Sequence, residues 1–169
     1  NQTELGISRQ ADDLRALIRL SQDKEILENA NNKKTIQTLW ETSQIPDFRN
    51  ISEGEHSKII SLIFKELCLN NKLSDEWLNS HIKSFDKYYG DINSLMMRLS
   101  GIRTWTYVSQ KEKWLDNPAL WQKKTREIED KLSDALHNSL TERFVEKNSN
   151  ILRIKYKDKT DILSGINDN

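Results

Sequence analysis

The sequence has few of the residues from which most active sites are built. It contains one cysteine, three histidines and five glycines in 169 residues. A single cysteine, Cys68, leaves no partner for a disulfide and no cysteine zinc site. The glycines, at positions 6, 54, 90, 101 and 165, are too scattered to build the loop that cradles nucleotide phosphates. We therefore expect no nucleotide-hydrolysing motor in this chain.

The histidines and carboxylates do not form a recognisable metal or catalytic site. No two of His56, His81 and His137 lie at metal-ligand spacing on one helix. His56 and His81 fall on apolar stripes, which favours a core or edge role. Asp75-Glu76 resembles a magnesium-binding pair, but it stands at a helix start, where capping explains it. The sequence thus predicts no catalytic residue and no metal ligand.

Net charge and long apolar runs are also missing. Lys+Arg and Asp+Glu number 26 each, so no overall charge attracts nucleic acid or membrane. No apolar run approaches the ~20 residues that span a bilayer, and no signal peptide opens the chain. These absences predict a cytoplasmic protein without a membrane partner. Because the chain begins at Asn1 and not at Met, we expect it to be a fragment of a longer protein.

Few helix breakers are present, and most lie between segments of helical periodicity. The pattern predicts an all-α, multi-helix bundle whose helices begin near Arg9, Asp23, Thr35, Ser52, Ser74, Asp91 and Pro118. The last helix carries an apolar stripe from Trp121 to Phe144 and should form a long C-terminal spine that ends at 148–150.

Three local predictions depend on this periodicity. Ile36, Leu39 and Trp40 should share one face of the helix over 35–43. The helix after Ser74 should run through Tyr89, with Gly90 as its left-handed stop. Residues 102–108 also alternate as a strand would, but the stripe before them continues in phase, which favours helix.

The chain divides into three predicted regions. Residues 1–8 are polar and should be a disordered arm, and 9–147 form the helical domain. Residues 148–169 should be a linker or tail. Within it, 151–156 (ILRIKY) could be a short strand or the start of a following domain.

One stretch mixes cations with aromatic rings, as surfaces that grip single-stranded nucleic acid do. The candidate contacts are Arg103, Trp105, Lys111, Lys113, Trp114, Lys123, Lys124 and Arg126. The alternative is structural, because Trp105 and Trp114 could simply close a helix–helix corner. Both interpretations are open at this point.

The loop at 44–49 interrupts the helical pattern, because Pro46 holds the preceding residue in an extended conformation. Asp47 and Arg49 flank Phe48. The two charges could form a buried ion pair that fixes the loop, or the loop could present Arg49 to a neighbouring domain.

Three segments together resemble a known family. They are LWETSQIPDFR at 39–49, GDINSLMMRLSGIRTWTYVSQKEKWLDNPALWQ at 90–122 and TREIEDKLSDALHNSLTERFVEKN at 125–148. They are similar to the region that follows the two motor domains in Suv3-like ATP-dependent helicases of superfamily 2, and most of all to the alphaproteobacterial branch. Ser43 departs from the pattern, since a cysteine is common there.

The resemblance implies a parent protein that hydrolyses ATP with Mg²⁺ and unwinds RNA or DNA. Its motor domains would lie upstream, so no ATP or Mg²⁺ ligand falls in this chain. The chain itself would be a non-catalytic C-terminal accessory domain that packs on the motor and helps to line the single-strand channel.

The expected partners are therefore the motor domains and single-stranded RNA or DNA. Asp47, Phe48 and Arg49 would dock on the motor, the cations of 103–126 would contact phosphates, and Trp105 or Trp114 would stack on a base. The alternative is a structural, protein-interaction module without direct nucleic-acid contact.

Overall fold

The computed structural model describes residues 13–49 and 53–166, and this part of the chain is all-α, as predicted. Residues 13–20 form α1. The following helices are α2 (Lys24–Asn29), α3 (Lys33–Ser43), α4 (Glu53–Asn70), α5 (Asp75–Ile82), α6 (Ile92–Ser109) and α7 (Pro118–Ile166). The described residues contain no strand; Leu73 and Leu115 form one isolated parallel bridge. The predicted disordered arm at 1–8, the helix start at Arg9 and the Ser52 cap lie outside the described residues.

Polar side chains begin several of these helices at the predicted positions. Asp23, Ser74 and Asp91 each accept a hydrogen bond from a backbone N–H of the first turn that follows. Asn32 does the same for α3, which begins at Lys33, two residues before the predicted start at Thr35. At its other end, α4 stops at Asn70, and the next residue, Asn71, adopts a left-handed φ of 61°. Local sequence therefore fixes where these helices start and where α4 ends.

The core lies between α4, α5, α6 and the first half of α7. The apolar stripe of α4 buries Ile60, Ile63 and Phe64 completely. The most extensive packing between two helices is that of α6 against α7. Residues 102–108 are helical, and Ile102 and Val108 are fully buried, so the helical interpretation of this stretch is confirmed.

A 3₁₀ turn joins α6 to α7 and is part of the core. It spans Glu112–Trp114, and Trp114 is 6 % exposed. The carbonyl of Trp114 accepts a hydrogen bond of 2.6 Å from the N–H of Leu73. This bond ties the α6–α7 corner to the segment that leads into α5.

Of the three residues on the predicted face of α3, only Leu39 is buried. Ile36 and Trp40 are 56 % and 39 % exposed, whereas Leu39, Thr42 and Ser43 are buried. The hydroxyls of Thr42 and Ser43 donate to backbone carbonyls three residues earlier, so they enter the core with their hydrogen bonds satisfied. Apolar periodicity could not reveal a face that is built partly from hydroxyl residues.

The predicted extent of α5 is also wrong. The helix ends at Ile82, a 3₁₀ turn follows at Lys83–Phe85, and Tyr89 is 73 % exposed. Arg98 of α6 donates hydrogen bonds to the carbonyls of Lys87 and Tyr89, at 2.8 and 2.7 Å. These bonds hold residues 87–89 outside the helix. Gly90 has a φ of 126°, but it precedes the Asp91 cap and does not end α5.

The final helix does not end at 148–150, and 151–156 are not a strand. The helix continues through Ile166 for 49 residues, a length of about 73 Å. The Asn and Ser residues at 148–150 lower helix propensity by only a few tenths of a kcal/mol each. The side-chain amide of Asn148 donates back to the carbonyl of Phe144 at 3.0 Å. With no glycine or proline between Pro118 and Gly165, nothing in the backbone forces a stop.

Candidate nucleic-acid interface and docking surfaces

The tryptophans of the predicted nucleic-acid site are core residues. Trp105 is 4 % exposed and Trp114 is 6 % exposed. The Trp105 ring meets Trp77 edge-on, with 5.8 Å between centroids, and lies 5.6 Å from the His81 ring. Neither Trp105 nor Trp114 presents a face on which a base could stack. The assignment of these two rings as stacking rings is therefore wrong, and the corner-closing alternative describes them.

Asp75 and Trp121 also belong to this corner and are joined there by a hydrogen bond. The indole N–H of Trp121 donates to one carboxylate oxygen of Asp75 at 2.7 Å, and the Asn117 amide donates to the other at 2.5 Å. Asp75 lies in the first turn of α5. Its carboxylate thus connects the start of α5 to the start of α7.

Some of the cations of 103–126 contact neighbouring side chains, and others are exposed to solvent. Arg103 pairs with Glu129 at 3.2 Å, and Lys123 lies 3.9 Å from Glu127. Lys124 donates to Asn79 at 3.0 Å and lies over the Trp121 ring. Lys111 lies over the rings of Tyr107 and Trp114. Lys113 and Arg126 are exposed. Most of the predicted phosphate contacts are therefore already engaged with neighbouring side chains.

The 44–49 loop is anchored at both ends. Ile45 is buried, and His56 donates to its carbonyl at 2.8 Å through Nε2. The carboxylate of Asp47 lies 3.9 Å from the His56 ring and accepts a 3.0 Å hydrogen bond from the backbone N–H of Arg49. Phe48 between them is 42 % exposed.

The Arg49 guanidinium lies against the bundle, and the residue is partly buried. Its guanidinium lies 5.6 Å from the centre of the Phe85 ring. Its Nε is buried and has no hydrogen-bond partner among the described residues. A Cβ at Gly101 would lie 2.6 Å from its Nη2. Of the three predicted docking residues, Phe48 has the most exposed side chain.

The periodicity of α7 changes beyond Ser139. Up to that residue, a row at alternating spacings of four and three residues faces the bundle: Trp121, Thr125, Ile128, Leu132, Ala135 and Ser139. The same spacing then reaches Glu142, Glu146, Ser149 and Arg153, which are all exposed. The predicted stripe through Leu140 and Phe144 is not covered, because these residues are 47 % and 68 % exposed.

Beyond Ser139 the apolar residues leave this row and spread over about 200° of the remaining helix circumference, at about 100° per residue. We call them the distal apolar face; its members are Leu140, Phe144, Val145, Ile151, Leu152, Ile154 and Tyr156. Each is between 42 % and 74 % exposed. This face was not predicted, because the helix was expected to end at 148–150. Extending the 3.6-residue period through 157 would have revealed it.

Two burial effects on pKa values accompany this architecture. Burial raises the pKa of the Tyr88 hydroxyl, which also donates to Asp86. Partial burial raises the pKa of the Cys68 thiol above its ordinary value. In the described part of the chain, no three His, Cys, Asp or Glu side chains are grouped as metal ligands. No helix there is both long and apolar enough to cross a membrane.

Comparisons with protein families, curated proteins and solved structures found no match to this chain.

Proposed function

We propose that this chain is a non-catalytic helical accessory module of a Suv3-like ATP-dependent helicase. It would pack on the motor domains and help to line the channel for single-stranded RNA or DNA. ATP and Mg²⁺ would bind in the motor domains and not here. The parent would work in the cytoplasm.

The distal apolar face is the observation that carries the proposal. Its seven large side chains lie within 140–156 and are 42 % to 74 % exposed. Each side chain exposes on the order of 100 Å², so together they expose about 700 Å² of apolar surface. This is more than a monomeric protein usually exposes in one patch. That area is close to the ~800 Å² that one partner contributes to a standard interface. The resemblance names the partner as the motor.

Docking can be tested with the two-domain motor fragment of a Suv3-like helicase. We expect this chain to co-elute with the fragment in size-exclusion chromatography. The triple variant F144Q/I151Q/L152Q should lose co-elution, because each change removes apolar area while glutamine keeps helix propensity. The control L62Q/L69Q, at exposed leucines of α4, should still co-elute.

Two results would count against docking through this face. If the unchanged chain does not co-elute, the chain does not pack on this motor. If the triple variant co-elutes as well as the unchanged chain, another surface is responsible.

The second candidate function is a protein-interaction module that braces the motor without touching nucleic acid. The burial of Trp105 and Trp114 and the pairing of Arg103 with Glu129 favour it. It predicts that the motor binds single strands equally well with and without this chain.

A further inference from the structure

Part of the distal apolar face has the spacing of a coiled-coil seam. Leu140, Phe144, Ile151 and Ile154 follow this spacing, and Lys147 occupies the position that completes the alternation of four and three residues. At about 100° of rotation per residue, all five lie within a sector of about 80°. We call these five residues the distal seam. Its apolar members are between 42 % and 68 % exposed, so the seam is open to a partner.

The charges within the distal seam and along its two edges are all basic. Lys147 lies inside the seam, and Arg143 and Lys155 lie about 60° to either side of its centre. All three are exposed. The acidic residues of the same helix segment, Glu142 and Glu146, lie about 160° and about 120° from the seam centre. A helix laid along the seam therefore meets three cations and neither of these carboxylates.

Lys147 restricts which partners can cover the seam. A helix packed there removes the Lys147 side chain from water, and a buried ammonium is costly unless a carboxylate lies next to it. Two copies of this chain, parallel and in register, would put Lys147 against Lys147. Antiparallel copies that overlap along the whole seam would put Lys147 against Ile151. Neither arrangement supplies a carboxylate from 140–157, so these residues fit an acidic partner better than a second copy.

We propose that the distal seam binds an acidic amphipathic helix of the motor, which places one carboxylate opposite Lys147 and others beside Arg143 and Lys155. The inference rests on the proposed function, because it takes the motor as the owner of that helix. It adds the chemistry of the docking partner, with apolar side chains over the seam and carboxylates along its edges. The apolar contacts provide affinity, and the three cations select the partner.

The test is the dissociation constant of the full chain for the two-domain motor fragment, measured by isothermal titration calorimetry. Lys147→Met removes the charge but keeps a long side chain of similar helix propensity. Because it leaves the opposite carboxylate buried without its partner, it should weaken binding by about 30-fold or more. Lys147→Glu should weaken binding further, since it puts two carboxylates together. The matched control Lys58→Met removes an exposed lysine from α4 and should leave the constant unchanged.

The direction of the Lys147→Met effect distinguishes an acidic partner from an apolar one. If the motor covers Lys147 with apolar groups only, the variant relieves an unpaired buried charge and binds more tightly. Tighter or unchanged binding of Lys147→Met therefore overturns the inference. In that case, loss of co-elution by F144Q/I151Q/L152Q still supports docking of the distal apolar face, so the proposed function is judged separately.

A second copy of the chain is the competing occupant, and it is tested without the motor. Asp158 and Asp161 follow the seam in the sequence and are the carboxylates that a second copy would bring. In sedimentation equilibrium, we expect the full chain alone to be a monomer and its equimolar mixture with the K147E chain to form a heterodimer, because the variant offers Lys147 a carboxylate.

Two results of this experiment overturn the inference, whether or not the motor docks. One is a dimer of the unchanged chain that F144Q/I151Q/L152Q converts to a monomer. The other is a mixture that stays monomeric. If the mixture forms a heterodimer but the unchanged chain does not bind the motor, docking on the motor fails and the selectivity of the seam for an acidic helix stands.

Discussion

Replacing Gly101 with alanine should destabilise the protein, although alanine is the better helix former. Gly101 lies inside α6, where the exchange alone would stabilise a helix by about 1 kcal/mol. A Cβ there would lie 2.3 Å from Cε1 of Phe85 and 2.6 Å from Nη2 of Arg49. Atoms cannot approach so closely, so the ring and the guanidinium must move.

The size of the effect depends on which neighbour moves. Arg49 has a flexible end, but Phe85 is 8 % exposed and belongs to the core. Overpacking of a core costs about 1–3 kcal/mol, which exceeds the helix-propensity gain. The difference between the two effects predicts that Gly101→Ala lowers the free energy of unfolding by up to about 2 kcal/mol.

Urea denaturation followed by circular dichroism measures this change. Gly54→Ala is the matched control, because a Cβ at Gly54 would meet nothing within 4 Å and should stabilise α4 by up to about 1 kcal/mol. In the double variant with Phe85→Leu, the penalty of Gly101→Ala should shrink. A rise in the denaturation midpoint for Gly101→Ala, like that for Gly54→Ala, would refute the close-contact reasoning.

Three further predictions follow from single contacts. Trp121→Phe removes the 2.7 Å hydrogen bond to Asp75 and should lower the free energy of unfolding by about 1–2 kcal/mol in urea denaturation; an unchanged midpoint would show that the bond is not needed. Hydrogen bonds from Ser94 lower the pKa of Asp91 below its ordinary 3.8, so the stability it provides is present above that value and is lost as pH falls through the lowered pKa. Asp91→Asn keeps a good cap and should flatten the acid side of the stability profile, whereas an unaltered profile would contradict this assignment. Burial raises the pKa of Cys68, so its reaction with a thiol reagent at pH 8 should be slower than in denaturant, and equal rates would argue against burial.

The starts of helices were predictable where a side chain itself caps a backbone N–H of the first turn. Asp23, Ser74 and Asp91 are each followed by a helix, because a short polar side chain satisfies an N–H that the first turn leaves open. The α4 stripe was predictable for a second reason, since nearly all of its buried positions are apolar.

The errors arose where tertiary contacts decide the outcome. Nothing in the sequence of 83–90 indicates that Arg98 donates hydrogen bonds to two backbone carbonyls of this segment. At the other end, the sequence predicts a stop at Asn148, but the side-chain amide of this residue donates to the carbonyl of Phe144 inside the helix. Propensity at a few residues is a weak signal beside a long segment without a breaker.

The candidate site was the least predictable part. Tryptophans next to lysines and arginines look alike in sequence whether they grip a strand or close a corner. Only packing distinguishes the two, and it places Trp105 and Trp114 in the core. The exposed apolar residues from Ile151 to Tyr156 were not predicted to be helical, because the helix was expected to end at 148–150.

The central claim is that this chain docks on a helicase motor and adds strand affinity to it. The most direct measurement is the dissociation constant of a labelled single strand for the motor fragment, for this chain, and for their 1:1 mixture. We predict that the mixture binds more tightly than the motor alone, and that F144Q/I151Q/L152Q abolishes the gain by preventing docking. Equal affinity of the mixture and the motor alone would contradict the account.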